Sequence, residues 1–135
     1  RLHVGFNSLG PAAMSALRLG ALCELEELDL TENHVGDQGV LRLLEWDGVS
    51  GLGHLDLARN EIRDAGAIAR ANAPQLCNVE HLSLAENQIS DDGALALARS
   101  PPHAPCDHIK DSNPGITERS AQMREPMRRA RRVWL

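Results

Sequence analysis

Histidines and carboxylates recur in this 135-residue chain at a fixed interval. Glu27, His54 and His81 stand 27 residues apart, and Asp29, Asp56 and Ser83 keep the same interval two places further on. Imidazole and carboxylate groups together hold zinc-like ions or move protons. On an open surface they do something simpler and present charge to a partner. Which chemistry applies depends on where a 27-residue interval puts these side chains. If each interval is one turn of a stack contributing one strand, equivalent residues lie about 4.8 Å apart. Glu27, His54 and His81 then form one column, beside a second of His3, Asp29, Asp56 and Ser83. Side chains in such columns splay instead of converging. A solvated binding face is therefore preferred to a metal site, and no metal or other cofactor is expected.

The elements that must position these residues are repeats. Leu25-Glu-Glu-Leu-Asp-Leu-Thr-Glu-Asn33, Leu52-Gly-His-Leu-Asp-Leu-Ala-Arg-Asn60 and Val79-Glu-His-Leu-Ser-Leu-Ala-Glu-Asn87 align without gaps. Val35, Ile62 and Ile89 follow each Asn by two places, then come Asp37, Asp64 and Asp91, then Gly39, Gly66 and Gly93. Leu2, Val4, Asn7 and Leu9 form an incomplete copy ahead of them. Self-similarity at this period marks a solenoid.

Each column has a physical task. Leu28 and Leu30, with their counterparts Leu55, Leu57, Leu82 and Leu84, alternate with polar residues at the period of a half-buried strand. The Asn amide satisfies buried backbone groups of its own turn and its neighbour. The Asp column is placed to cap the helix that starts there, accepting its free first-turn amides. The Gly column permits close approach between turns. Helical periodicity follows in Val40, Leu41, Leu43 and Leu44, in Ala67, Ile68 and Ala71, and in Ala94, Leu95, Leu97 and Ala98. No unit buries its own apolar edge, so the units must stack.

The pattern LxxLxLxxNxIxDxG resembles the leucine-rich repeat, and within it the ribonuclease-inhibitor-like class with a full helix on the convex side. The resemblance spans about residues 1–100. It implies an α/β fold, a right-handed solenoid of about four to five repeats with parallel strands inside the curve. The repeats here are uniform, with Asn in every turn, unlike the alternating Asn and Cys of ribonuclease inhibitor itself. The same class includes the Ran GTPase-activating protein and the sensor ends of nucleotide-binding immune receptors, so fold alone does not settle function.

Composition narrows the field. Leu occurs 20 times, against 5 Ile, 6 Val and 2% aromatics, a repetitive core. No apolar run reaches the length of a membrane span. Residues 1–117 carry 8 Lys+Arg and 17 Asp+Glu, net −9, and residues 118–135 carry 6 Arg and 2 Glu, net +4. The division expected is a solenoid over 1–100, an irregular or decayed terminal repeat over 101–117, and a basic, helix-capable tail over 118–135. Pro101, Pro102 and Pro105 end the last helix, while Asn113 falls 26 residues after Asn87, as a fifth turn would place it. In the tail, Met123, Met127, Ala130 and Trp134 share a helical stripe beside Arg128, Arg129, Arg131 and Arg132. That segment folds back on the acidic body, docks on another subunit, RNA or acidic surface, or serves nuclear import, in that order of preference.

Other residues read as structural. Cys23 and Cys77 share a column two turns apart, about 10 Å, beyond disulfide reach, and are expected as small buried fillers. Cys106 is left unpaired. The absence of CxxC and of any disulfide frame favours an intracellular protein, cytoplasmic first, with nucleus or organelle as alternatives. Trp46 is expected to pack on the neighbouring return loop. Phe6, at the sheet's rim, is a contact anchor or is covered by preceding chain, the latter preferred. There is no phosphate loop, nucleophile elbow or HExxH.

The function expected is a non-catalytic protein-interaction module or scaffold subunit, not an enzyme. Its partner-binding residues are Glu27, Asp29, Glu32, His54, Asp56, Arg59, His81, Ser83 and Glu86 on the concave face, and Arg128, Arg129, Arg131, Arg132 and Trp134 in the tail. Carboxylates outnumber Arg there, so a partner protein with a basic surface is expected. Nucleic acid enters only through the tail. An apolar edge beginning at Leu2 points to a longer chain or a larger complex. Alternatives are a GTPase-activating protein of the Ran-activator type and a structural subunit of an RNA-protein or cytoskeletal assembly.

Overall fold

The computed structural model describes residues 1–17, 22, 24–100 and 113–117, and the backbone of 106–108. Every interval of the repeat is one turn, strand then helix. The strands are β1 (Leu2–His3), β2 (Glu27–Asp29), β3 (His54–Asp56), β4 (His81–Ser83) and β5 (Cys106–His108). The helices are α1 (Pro11–Ala16), α2 (Gly36–Leu44), α3 (Asp64–Ala71) and α4 (Asp91–Arg99). Short 3-10 helices, Asp47–Gly51 and Pro74–Leu76, return the chain after α2 and α3. The sheet runs β1-β2-β3-β4-β5 with every pair parallel. This is the α/β solenoid that the repeat predicts, one strand and one helix per turn.

The strands are short because only their central residue must point inward. Leu28, Leu55 and Leu82, each 1% exposed, sit beside one another across the sheet. Leu30, Leu57 and Leu84 follow them inward, and Val35, Ile62 and Ile89 are fully buried where each turn heads for its helix. Burying such a side chain stabilises by roughly 1.5–3 kcal/mol, so the stacked rows supply most of the driving force. β5 joins β4 with one extra residue, Leu82 facing Cys106 and Ser83 facing His108.

Asparagine stitches the turns together. Asn60 Oδ1 accepts the Val35 amide, and its Nδ2 donates to the carbonyls of Leu30 and Ala58. Asn87 Oδ1 accepts the amides of Asn60 and Ile62, and its Nδ2 donates back to Leu57, Leu84 and Ala85. Asn33 does the same toward Asn7, Leu9 and Val4. Asn113, 4% exposed, continues the ladder by accepting the Ile89 amide and donating to the Leu84 carbonyl. Each buried amide thus satisfies the turn before it. To aim the Asn inward, the residue ahead of it takes positive φ: Phe6 60°, Glu32 52°, Arg59 56° and Glu86 51°.

The aspartates work differently from the expected capping of their own helices. Asp37 Oδ1 accepts the amides of Arg63 and Gly66, at the start of the next helix. Asp64 does the same for Ser90 and Gly93, and Asp91 for Thr117. The acceptor reaches across because the next turn's amides lie within hydrogen-bond distance of it. A Cβ on Gly93 would stand 2.5 Å from Asp64 Oδ1 and 2.8 Å from Ile89 Cγ2, which accounts for the Gly column. In the first turn Pro11 fills the Asp position. α2 accordingly opens on Gly36 at φ +57°, whose amide turns to the Asn60 carbonyl.

The helix stripes differ from expectation at three places. Val40 and Leu43 of α2, Ala67 and Ala71 of α3, and Ala94 and Leu97 of α4 are buried, but Leu41 and Ile68 face outward at 42% and 39% exposure. Arg70, 3% exposed, takes the core position that Leu43 and Leu97 occupy in the turns on either side. Cys77 is exposed and is no core filler: it closes the short 3-10 turn Pro74–Leu76 on the surface side. Cys23 and the side chain of Cys106 lie outside the described residues. Trp46 is buried with its ring over Gly48 of its own return loop.

Candidate partner-binding face

The registry of the parallel strands builds the face. Residues flanking each buried central Leu point to the opposite side of the sheet, so they are ordered by strand pairing alone. Glu27 pairs with His54 and His54 with His81; His3 pairs with Asp29, Asp29 with Asp56 and Asp56 with Ser83. Both predicted columns form. These turns are leucine-rich repeats: a family model described as Leucine Rich repeat matches residues 21–44, 52–69 and 75–98. The chain is a leucine-rich repeat protein. Repeats of this kind generally serve protein–protein interaction. No match to the chain was found among curated proteins.

Within the leucine-rich-repeat face the charges are partly spoken for. Glu27 Oε2 receives Arg1 Nε at 3.0 Å, and Glu27 Oε1 stands 3.6 Å from His3 Nε2. His3 Nδ1 stands 3.6 Å from Asp29 Oδ2, so one imidazole lies between two carboxylates. Asp29 Oδ1 accepts the Thr31 amide, and Asp56 Oδ1 accepts the Ala58 amide in the same way one turn on. Partial burial pushes the Asp29 carboxyl upward, yet the Thr31 side chain and amide, with His3, outweigh it and hold it below the ordinary carboxylate range. His54 and His81, both exposed, stack with ring centroids 4.2 Å apart.

A third column runs along the strand ends: Phe6, Glu32, Arg59 and Glu86. Arg59 lies between the two acids. Its Nε and Nη2 donate to both oxygens of Glu86 at 2.8 and 2.9 Å, and its Nη1 to Glu32 Oε2 at 3.0 Å. Glu86 first and Glu32 second raise the Arg59 pKa above its already high ordinary value. All three side chains are about half exposed, so the network orients charge more than it stabilises the fold.

All nine body residues predicted as a site therefore share one face, in three adjoining columns. Arg128, Arg129, Arg131, Arg132 and Trp134 lie outside the described residues. Two features escaped the sequence reading. Arg1 answers Glu27, a pairing visible in its position one turn ahead of that residue. The guanidinium bridge of Arg59 follows from the same arithmetic, since Glu32 and Glu86 are its two column neighbours. Among the described residues, no group of three or more His, Cys, Asp or Glu is arranged to hold a metal ion. Among the same residues, no helix is long and apolar enough to cross a membrane.

Proposed function

We propose that the chain is a non-catalytic interaction module of the ribonuclease-inhibitor-like class, acting inside the cell on a protein partner with a basic surface. The observation that carries this reading is the pairing of Asp29 beside Asp56, with Glu27 in the adjoining column. Five carboxylates, Glu27, Asp29, Glu32, Asp56 and Glu86, stand on one face; among the described residues, Arg1 and Arg59 are the arginines paired against them, and His3 lies beside Glu27 and Asp29. A rigid, aligned excess of one sign speeds encounter with an opposite surface and rejects like-charged ones. Helices of eight or nine residues on α2, α3 and α4 support the subclass. The basic tail serves as a second contact or as an anchor within a larger assembly.

The test is affinity capture from the native source with the full chain and two variants. One carries Glu27→Gln, Asp29→Asn and Asp56→Asn; the other carries Gln at Arg128, Arg129, Arg131 and Arg132. Loss of the same protein with the first variant supports the concave site. Retention with the first and loss with the second moves the site to the tail. Capture unaffected by either removes the reading.

A further inference from the structure

The Phe6–Glu32 step of the third column has the composition of a binding seat. Phe6 is 71% exposed, the most exposed large apolar side chain described, and takes no part in the core. Its backbone is nonetheless fixed: the Phe6 amide donates to the Thr31 carbonyl at 2.8 Å, and φ is held at 60°. Glu32, the next residue in the column, is fixed in the same way, its amide on the Ala58 carbonyl and its φ at 52°. Adjacent turns stand about 4.8 Å apart. An aromatic and an acidic residue therefore take neighbouring places on rigid backbone, in the first two turns of the acidic face.

The next steps of the column show what fits there. Arg59 fills the interval between Glu32 and Glu86, giving two hydrogen bonds to Glu86 and one to Glu32. One guanidinium faces two carboxylates, so the column keeps a net charge of −1 from Glu32, Arg59 and Glu86. Arg59 takes only Oε2 of Glu32. Among the described residues nothing is bonded to Oε1.

We propose that the Phe6–Glu32 step seats a cationic side chain, arginine in preference to lysine, presented by the protein partner. The guanidinium stacks on the Phe6 ring and gives its edge to Glu32 Oε1, repeating on the partner's side what Arg59 does within the chain. Arginine is preferred because its plane satisfies ring and carboxylate at once, whereas an ammonium offers a point charge. The inference rests on the acidic face being the binding face, and it names the partner group that docks at one end of it.

The experiment is a titration of the full, isotope-labelled chain with acetyl-Gly-Arg-Gly-amide, followed by amide and ring resonances. Matched peptides carry lysine or the neutral isostere citrulline. Expected are shifts centred on Phe6 and Glu32, weaker with lysine and nearly absent with citrulline. Phe6→Leu, which keeps bulk and removes the ring, weakens binding about two- to fivefold. Glu32→Gln weakens it by up to about fivefold. Phe6 is on the surface, so neither variant threatens folding, and unchanged shifts elsewhere verify that. The same titration on the chain with Gln at Arg128, Arg129, Arg131 and Arg132 removes four of the six competing guanidiniums of the tail. Equal response to arginine and citrulline, or shifts indifferent to both variants, overturns the seat. If the seat fails while the Glu27, Asp29 and Asp56 variant still loses its partner, only this inference falls.

Discussion

Asp64 and Ser90, one turn apart in the stack, are joined twice: the Ser90 amide donates to Oδ1 and the Ser90 hydroxyl to Oδ2 of the carboxylate. The Gly93 amide adds a third bond to Oδ1 at 3.1 Å. Asp64 is itself the first residue of α3, yet it caps α4. Capping here is coupling between neighbours. A solenoid whose turns contact only the next turn gains cooperativity from every bond that crosses the interface.

Removing that carboxylate therefore loosens the following helix more than its own. Asp64→Ala is expected to cost about 1 kcal/mol, the usual worth of a cap. Hydrogen exchange locates the effect: amides of Ser90 to Ala94 speed up, while those of Ala65 to Ile68 change little. The reverse pattern would mean that Asp64 serves α3 after all.

The asparagine ladder predicts a graded response along the stack. Asn60 is fully buried and its side chain bonds to its own turn and the one before, whereas Asn7 is exposed and, among the described residues, its side chain donates to Val4 and Gly5. Stranding one buried backbone group costs about 1–3 kcal/mol. Asn60→Ala strands the Val35 amide, while the Leu30 carbonyl keeps Asn33 Nδ2, so a loss of about 1–3 kcal/mol is expected. Asn7→Ala leaves its partners to water and costs well under 1 kcal/mol by the same reasoning. Urea unfolding of the two variants checks the contrast, and similar losses would show that the amide's burial is not what matters.

Position along the turn was legible in the sequence; direction across turns was not. Leu28, Leu55 and Leu82 announce their strands by alternation, and the recurrence of Asn33, Asn60 and Asn87 fixes the register of the sheet. That register gives the columns of the candidate face without coordinates. The Asp column also has a fixed place, but a carboxylate at a helix start can serve its own amides or the next turn's. Only the closeness of Ser90 and Gly93 decides it. Cys77 was misplaced because column position does not report depth in a return loop that replaces its neighbours' residues with Pro74 and Gln75. Arg70 was missed although its place between Leu43 and Leu97 was readable, because periodicity was traced through apolar residues alone.

Arg70 is an unfavourable group in the core. Among the described residues its Nε and Nη2 are buried without a hydrogen-bond partner, and an unmet buried donor costs about 1–3 kcal/mol. Arg70→Leu restores the column that Leu43 and Leu97 define, with a side chain of suitable length for the space beneath α3. It is expected to raise stability by about 1–3 kcal/mol, measured as a higher midpoint of thermal or urea unfolding. Arg70→Ala removes the charge but leaves a void, so it should gain less than leucine or lose outright. A drop in stability with leucine would show that the guanidinium is held by contacts worth more than its burial costs.

Asp29 gives the acid limb of the stability curve a specific contributor. Its carboxyl is held below the ordinary range because the Thr31 hydrogen bonds and His3 outweigh the upward push of partial burial. A carboxyl whose folded pKa lies below its unfolded one binds its proton more readily in the unfolded chain. Its stabilisation is therefore complete above the unfolded value and disappears as pH falls through the folded one. Asp29→Asn keeps the shape and an oxygen for the Thr31 amide, so its difference from the parent chain reports the charge. That difference should be present at about pH 5, narrow below about pH 4 and vanish at the acid end. The side chain is a third exposed, so added salt should shrink the contribution of His3 while leaving that of Thr31. Urea unfolding of both chains across this range measures it, and two curves that stay parallel to the acid end would rule out a charged Asp29 as the cause.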